Sequence, residues 1–223
     1  QEQNSYAGIT NKILGKRVNV VAVAFPNMSR FFPENKIILT GNPVRKAILE
    51  VGLKRDNAFQ FFKLDSSKKT LVILGGSLGA EQINQTIESH LSFFSDLGIQ
   101  LIWQCGKLYF DRLKRHNELN YVQVHPFIQD MDLLYAASDY LISRAGASSV
   151  SELALLGKPV LLIPSPNVAE NHQYHNAKYL VNSGGALILS EKDLKDQFKE
   201  SINQLMIIDR EKVKDKLSEF AKP

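Results

Sequence analysis

The stretch Thr70-Leu71-Val72-Ile73-Leu74-Gly75-Gly76-Ser77-Leu78-Gly79-Ala80 joins an unbroken apolar run to a glycine-rich loop. Beyond the loop, apolar side chains recur at Ile83, Ile87, Leu91 and Phe94, which is the spacing of one face of an α-helix. A strand without polar alternation is typical of a parallel sheet that is covered on both faces. The stretch therefore predicts a strand, a tight turn and a helix, the first parts of a βαβ unit.

The same alternation of strand and helix continues toward the C-terminus. Further strands are predicted at Ile99–Gln104, Tyr121–His125, Asp139–Ser143, Lys158–Ile163 and Ala186–Leu189. Helices are predicted between and after them, near Tyr109–His116, Asp130–Ala137, Ser149–Leu156 and Asn171–Asn182. This order predicts an α/β fold with a Rossmann-like parallel sheet, right-handed crossovers and helices on both faces.

The first 50 residues predict the same kinds of element but not the same domain. A helix is predicted over Ser5–Lys16, and strands over Val18–Phe25 and Lys36–Leu39. Two strands do not make a stable sheet alone, and the chain starts without Met, inside the predicted helical region. We therefore expect residues 1–46 to be the remnant of an N-terminal domain that is largely missing, and residues 47–223 to be a second domain.

Composition excludes several classes of protein. The 223 residues carry 27 Lys and Arg against 23 Asp and Glu, and the net charge of +4 is dispersed, so no nucleic-acid partner is expected. The single cysteine, Cys105, excludes a disulfide framework within the chain. The basic group Arg112–His116 is interpreted as a solvated helix face. Asp130-Met131-Asp132 opens a predicted helix, so its charge suits the helix start better than a metal ion.

Ligands of an open parallel sheet bind where the strands end. Two glycine- and serine-rich junctions lie at such ends, Gly75–Ala80 and Ser143–Glu152. Their backbone N–H groups and helix starts suit a phosphate. The first junction is not a P-loop, because no Gly-Lys-Ser/Thr follows. A NAD site is disfavoured because the second strand ends in Trp103-Gln104-Cys105-Gly106, without a carboxylate.

Several candidate residues also have a purely structural interpretation. Ser149 and Glu152 have the spacing of a capping box, and this spacing alone favours a helix cap over a ligand contact. Gln173 stands in the polar first turn of a helix, which is compatible with simple exposure or with binding of sugar hydroxyls. Arg45 follows a strand end, where a guanidinium suits a diphosphate, although a surface arginine is the usual outcome.

Five motifs in register resemble the MurG family of glycosyltransferases, and the resemblance covers nearly the whole chain. They are Glu2-Gln3-Asn4, Gly41-Asn42-Pro43-Val44-Arg45, Gly75–Ala80, Arg144-Ala145-Gly146-Ala147 with Ser151-Glu152, and Gln173-Tyr174-His175-Asn176-Ala177. The resemblance implies the two-domain glycosyltransferase-B fold, with lipid acceptor on the N-terminal domain and nucleotide sugar on the C-terminal domain. It implies inverting, metal-independent transfer of N-acetylglucosamine from UDP-GlcNAc to undecaprenyl-linked lipid I, giving lipid II for peptidoglycan. No cofactor is implied, and the location implied is the cytoplasmic face of the bacterial plasma membrane.

The resemblance also implies roles for individual residues. Arg45 and the loop with Ser77 would contact the diphosphate, and Ile128 would meet the uracil through its backbone. Glu152 would bind the ribose, and Gln173 the N-acetylglucosamine hydroxyls. Contacts from a helix start to the phosphates would come from Ala147, Ser148, Ser149, Val150 and Ser151.

The N-terminal end departs from the family pattern. Asn4 matches a position that reaches the donor from the N-terminal domain, but Gln1 stands where the family often has His. The family's glycine-rich loop, with the His proposed as catalytic base, has no counterpart here, and the C-terminus also looks shortened. We therefore assign no catalytic base and expect the chain to bind donor without transferring sugar.

Two other functions stay open from the sequence. A non-hydrolysing UDP-GlcNAc epimerase shares the fold and the donor, but it needs acidic residues around the sugar that the motifs do not supply. A non-catalytic nucleotide-sugar-binding module would need only the two glycine- and serine-rich junctions.

Overall fold

The computed structural model describes residues 1–76, 78–182 and 184–218. Its strands are β1 (Val21–Val23), β2 (Ile37–Leu39), β3 (Lys69–Leu74), β4 (Ile99–Gln104), β5 (Val122–His125), β6 (Tyr140–Ser143), β7 (Val160–Leu162) and β8 (Ala186–Ile188). Its α-helices are α1 (Ile9–Gly15), α2 (Arg55–Phe61), α3 (Glu81–Ser89), α4 (Leu91–Asp96), α5 (Phe110–Leu113), α6 (Met131–Ala137), α7 (Ala147–Leu156), α8 (His172–Asn182), α9 (Leu194–Met206) and α10 (Arg210–Ser218). Short 3-10 helices include Lys46–Lys54, which follows Arg45.

Strands β3 to β8 form one parallel sheet in the order β5-β4-β3-β6-β7-β8, which confirms the predicted α/β architecture. The chain builds outward from β3 to β4 and β5, and then returns to place β6 on the other side of β3. The pairing of Leu74 with Ser143 puts the ends of β3 and β6 side by side. The two glycine- and serine-rich junctions therefore leave the sheet at its switch point, where such sheets bind ligands.

The sheet is buried on both faces, which explains the unbroken apolar runs. Leu71 packs on one face in a cluster with Trp103, while Val72 packs on the opposite face with α6 and α7. Trp103 is fully buried, and its indole N–H donates to the Asn84 Oδ1 at 2.9 Å. Successive strand residues thus contribute to two cores rather than to one core and solvent.

The N-terminal segment forms a separate two-stranded parallel sheet from β1 and β2. Two buried amides attach it to helices beside the large sheet: the Asn176 Oδ1 of α8 accepts from the Ser5 N–H at 2.9 Å, and the Asn42 Nδ2 donates to the Ser151 Oγ of α7 at 3.0 Å. The strand predicted over Val18–Phe25 is limited to β1.

Among the predicted helices that differ from the structure, two do so for a visible physical reason. The helix expected from Ser5 begins only at Ile9, because the Glu2 carboxylate accepts the backbone N–H groups of Asn4 (2.9 Å) and Gly8 (3.0 Å) and holds the preceding chain in a turn. The helix predicted beyond the glycine-rich loop is divided into α3 and α4 at His90, whose backbone is not helical (φ −116°, ψ 16°). The apolar spacing continues across the break, so periodicity could not show it.

Two side-chain groups noted in the sequence have structural partners. Arg115 and His116 of the basic cluster both contact Glu88, at 2.8 and 2.9 Å. Asp132 lies in the first turn of α6 and pairs with Lys54 at 2.7 Å.

Burial raises the pKa of the Cys105 thiol to about 11, so it is protonated near neutral pH. Among the described residues, no helix is both long and apolar enough to cross a membrane.

Candidate functional site

A cavity of about 540 Å³, here called the rim cleft, opens where β3 and β6 end. It is lined by Pro43, Val44, Arg45, Leu74, Gly76, Gln104, Phe127, Ile128, Met131, Tyr135, Ser143, Arg144, Ser148, Ser149 and Glu152. Five predicted site residues therefore meet in one place: Arg45, Ile128, Ser148, Ser149 and Glu152. Ser77, also predicted, lies outside the described residues, while its neighbour Gly76 lines the cleft.

Two glycines allow the loops after β3 and β4 to touch through their backbones. A Cβ on Gly79 would lie 2.2 Å from the Cys105 carbonyl oxygen, and a Cβ on Gly106 would lie 2.4 Å from the Gly79 Cα. Both glycines also have positive φ angles, +82° and +90°, which side-chain-bearing residues rarely adopt. The glycine-rich loop is thus held against its neighbour at the edge of the cleft.

We expect Gly106→Ala to cost about 2 kcal/mol of unfolding free energy or more, from backbone strain and from the overlap with Gly79. Gly98→Ala is the matched control, because Gly98 also has a positive φ (+66°), but a Cβ added there would meet no other group within 4 Å. The control should lose only the unfolding free energy that the backbone strain costs, about 1 kcal/mol. Urea unfolding measures both, and equal losses would contradict the close loop contact.

The second junction leads into α7, whose first N–H groups have no hydrogen-bond partner among the described residues. Helix α7 begins at Ala147, and the Val150 N–H makes the first bond of the helical ladder, to the Gly146 carbonyl oxygen at 2.9 Å. The N–H groups of Ala147, Ser148 and Ser149 precede that ladder. Together with the helix dipole, they make this end of α7 suitable for an anion.

The start of α7 shows that the capping-box interpretation is wrong. Gly146 occupies the N-cap position, and it makes no side-chain cap. Ser149 is already the third helical residue, so Glu152 lies a full turn beyond the place of a capping-box glutamate. Its carboxylate is therefore not used at the helix start.

Glu152 instead faces the rim cleft with two donors on its carboxylate. The Arg45 Nη1 donates at 3.1 Å to Oε1 and 3.4 Å to Oε2, and the Tyr135 hydroxyl donates at 3.0 Å to Oε2. The Arg45 side chain is 56% exposed and that of Glu152 is 11% exposed. Burial and the nearby Glu152 charge raise the pKa of Tyr135, so its hydroxyl stays protonated and donates. The carboxylate is fixed, whereas the guanidinium has room to turn.

Gln104 joins the loops around Ile128. Its Oε1 accepts from the Ile128 N–H at 2.9 Å, and its Nε2 donates to the Gly76 carbonyl oxygen at 3.4 Å. The Ile128 N–H is therefore already used, and the carbonyl oxygen is the backbone group left for a ligand. Sequence reasoning missed Gln104, although an amide as the last residue of a buried strand was a usable signal.

Three residues predicted at the helix start, Ala147, Val150 and Ser151, lie outside the cleft lining. The Val150 side chain is buried in the core, and its N–H belongs to the helical ladder. The Ser151 Oγ donates to the Ala147 carbonyl oxygen at 3.0 Å and accepts from Asn42. Ala147 itself offers only its backbone N–H.

Asn4 and Gln173 are also outside the cleft lining and serve as connectors in this structure. The Asn4 Oδ1 accepts from the Asn176 Nδ2 at 3.0 Å, which ties the N-terminal segment to α8. The Gln173 Oε1 accepts from the backbone N–H groups of Ser165 (2.9 Å) and Ala145 (3.3 Å), at the ends of two neighbouring strands. Gln173 thus stands beside the rim with its amide oxygen occupied.

Comparison with known proteins places this architecture among glycosyltransferases. A family model described as the glycosyltransferase family 28 C-terminal domain matches residues 70–221. The chain is 54% identical to UDP-N-acetylglucosamine–N-acetylmuramyl-(pentapeptide) pyrophosphoryl-undecaprenol N-acetylglucosamine transferase of Flavobacterium psychrophilum over 92% of the chain and 56% of that relative. The same-named protein of Christiangramia forsetii is 49% identical over the same shares. The chain thus spans about half the length of the curated relatives it matches.

A solved structure gives the same result. The crystal structure of Acinetobacter baumannii MurG superposes with a TM-score of 0.76 at 29% identity, over 100% of this chain and 62% of that chain. The similarity extends over the two-stranded sheet as well as the large one. It supports the glycosyltransferase-B type of fold expected from the sequence.

Proposed function

Because this chain belongs to glycosyltransferase family 28, we propose that it forms the donor half of an enzyme that transfers N-acetylglucosamine from UDP-GlcNAc to lipid I, giving lipid II. The observation that carries the proposal is the rim cleft, where a fixed carboxylate stands beside the first N–H groups of a helix. The carboxylate suits the ribose hydroxyls of a uridine diphosphate, and the N–H groups suit its diphosphate. The names of the relatives supply the sugar and the acceptor.

Each part of the nucleotide has a counterpart among the residues. The diphosphate would lie on the N–H groups of Ser148 and Ser149, with Arg45 turning from Glu152 toward it. Glu152 would accept hydrogen bonds from the ribose hydroxyls, and the Ile128 carbonyl oxygen would accept the uracil N3–H. Gln173 would use its amide nitrogen for the sugar hydroxyls.

In the proposed reaction the acceptor hydroxyl attacks the anomeric carbon, the bond to the diphosphate oxygen breaks, and UDP leaves. Charge builds up on that leaving oxygen. Backbone N–H groups, the dipole of α7 and the Arg45 guanidinium are placed to stabilise it without a metal ion. The base that takes the proton of the acceptor hydroxyl is not assigned in this chain.

The domain division belongs to the same proposal. Residues 1–46 would be part of the acceptor-binding domain, and residues 47–223 the donor domain. Lipid I and the cytoplasmic surface of the bacterial membrane would be met by the part of the relatives that this chain does not span.

Calorimetry tests the donor assignment. We expect the chain to bind UDP and UDP-GlcNAc at least about tenfold more tightly than NADH, a preference of about 1.4 kcal/mol, and to transfer no sugar to a lipid I analogue. Preference for NADH would contradict the uridine diphosphate site, and measurable transfer would contradict the expected inactivity. Formation of UDP-ManNAc from UDP-GlcNAc alone would favour the epimerase instead.

A further inference from the structure

Tyr135 lines the rim cleft on the side that faces the hydrophobic core. It lies on α6, its side chain is 1% exposed, and it packs in the core between α6 and the large sheet. Its hydroxyl nevertheless reaches the Glu152 Oε2 at 3.0 Å. A buried phenol whose hydroxyl contacts a cleft carboxylate links the rigid core to the site.

The hydrogen bonds to Glu152 leave a defined capacity for a ligand. A carboxylate can accept about four hydrogen bonds, two on each oxygen. Tyr135 takes one position on Oε2, and Arg45 takes one on Oε1 and a longer one on Oε2. Once Arg45 turns toward the diphosphate, about three positions are open, and a ribose has two adjacent hydroxyls to donate.

The two donors differ in how firmly they are held. Arg45 is more than half exposed and is the residue proposed to turn toward the diphosphate. Tyr135 is enclosed by core side chains, and its carbonyl oxygen accepts from the partly buried Lys158 Nζ at 2.5 Å, which fixes the end of α6. When a nucleotide draws Arg45 away, the Tyr135 hydroxyl is the donor that stays on Glu152.

We propose that Tyr135 is a positioning residue for ribose recognition, which rests on the proposed function: its hydroxyl holds the Glu152 carboxylate so that open acceptor positions face the 2′- and 3′-hydroxyls. Without that hydroxyl, the carboxylate rotates freely, and the ribose loses its aligned acceptors. The phenyl ring itself needs to contribute packing only.

The test compares UDP with 2′,3′-dideoxy-UDP on wild type and Tyr135→Phe by calorimetry. In the wild type, UDP should bind more tightly. In Tyr135→Phe, this preference should shrink about five- to tenfold, as expected from misplacing a charged hydrogen-bond acceptor, while affinity for the dideoxy compound stays within about twofold. Tyr140→Phe is the matched control, since the Tyr140 hydroxyl bonds the Met206 carbonyl oxygen at 3.2 Å, away from the cleft; its preference should not change.

The calorimetric results distinguish three ways in which the proposal can be wrong. A wild type that does not distinguish UDP from the dideoxy compound would overturn the ribose role of Glu152 and the positioning role with it. A clear wild-type preference that survives in Tyr135→Phe would overturn only the positioning role. Equal loss of affinity for both nucleotides would show that Tyr135 acts through packing, which also overturns the proposal.

Discussion

Glu152→Gln is expected to weaken UDP binding by about 10- to 100-fold, equal to about 1.4–2.7 kcal/mol, with little change in melting temperature. The substitution keeps the size of the side chain and an oxygen that can accept from the Tyr135 hydroxyl. It removes the negative charge and half of the acceptor capacity that the ribose would use. Calorimetry and thermal unfolding measure the two effects separately.

Glu88→Gln provides the control for this substitution. Glu88 also receives a hydrogen bond from the Arg115 guanidinium and contacts the His116 ring, but it lies outside the rim cleft. UDP affinity should remain unchanged in this variant. If Glu152→Gln instead lowered the melting temperature and left UDP affinity intact, Glu152 would be a structural residue and the ribose assignment would be lost.

Asp139→Ala is expected to cost about 3 kcal/mol of unfolding free energy, at the lower end of the range for breaking a buried ion pair. Asp139 is fully buried just before β6, and it accepts from the Thr70 N–H at 2.8 Å. It also accepts from Arg55 at 3.2 Å and Arg210 at 2.9 Å. The guanidiniums are partly exposed and regain water in the variant, whereas the Thr70 N–H is left without an acceptor.

Urea unfolding tests this expectation against Asp111→Ala. Asp111 forms an exposed pair with Lys114, and its loss should cost less than about 0.5 kcal/mol. Equal losses in the two variants would contradict the anchoring role of Asp139.

The pH dependence of stability gives a second check on Asp139. Burial alone would raise the pKa of this carboxyl, but the Thr70 N–H and the charges of Arg55 and Arg210 hold it below the ordinary value of 3.8. A lowered folded-state pKa stabilises the protein above 3.8, and this contribution disappears as the pH falls through the folded-state value. Stability should therefore fall less steeply below pH 4 in Asp139→Ala than in wild type.

The sheet was predictable because its strands are buried on both faces. The runs Leu71–Leu74 and Ile99–Gln104 contain too few polar residues for any exposed element, and both are strands in the structure. The carboxyl-end rule then located the rim cleft, because β3 and β6 end next to each other.

The details of the cleft were not predictable, because they depend on contacts between distant segments. Glu152 meets Arg45, which lies 107 residues away, and Tyr135, which lies 17 residues away on another helix. Nothing in the local sequence around Tyr135 separates it from an ordinary core residue. The capping-box spacing misled because a motif does not show where its helix begins, and α7 begins before Ser149.

The backbone contact between Gly79 and Gly106 restricts how the loops of this scaffold can be re-engineered. A longer or bulkier loop transplanted after β3 would collide with the segment after β4, so neither can be exchanged alone. Grafts from other transferases should carry both segments together, and libraries that randomise one of them should retain both glycines.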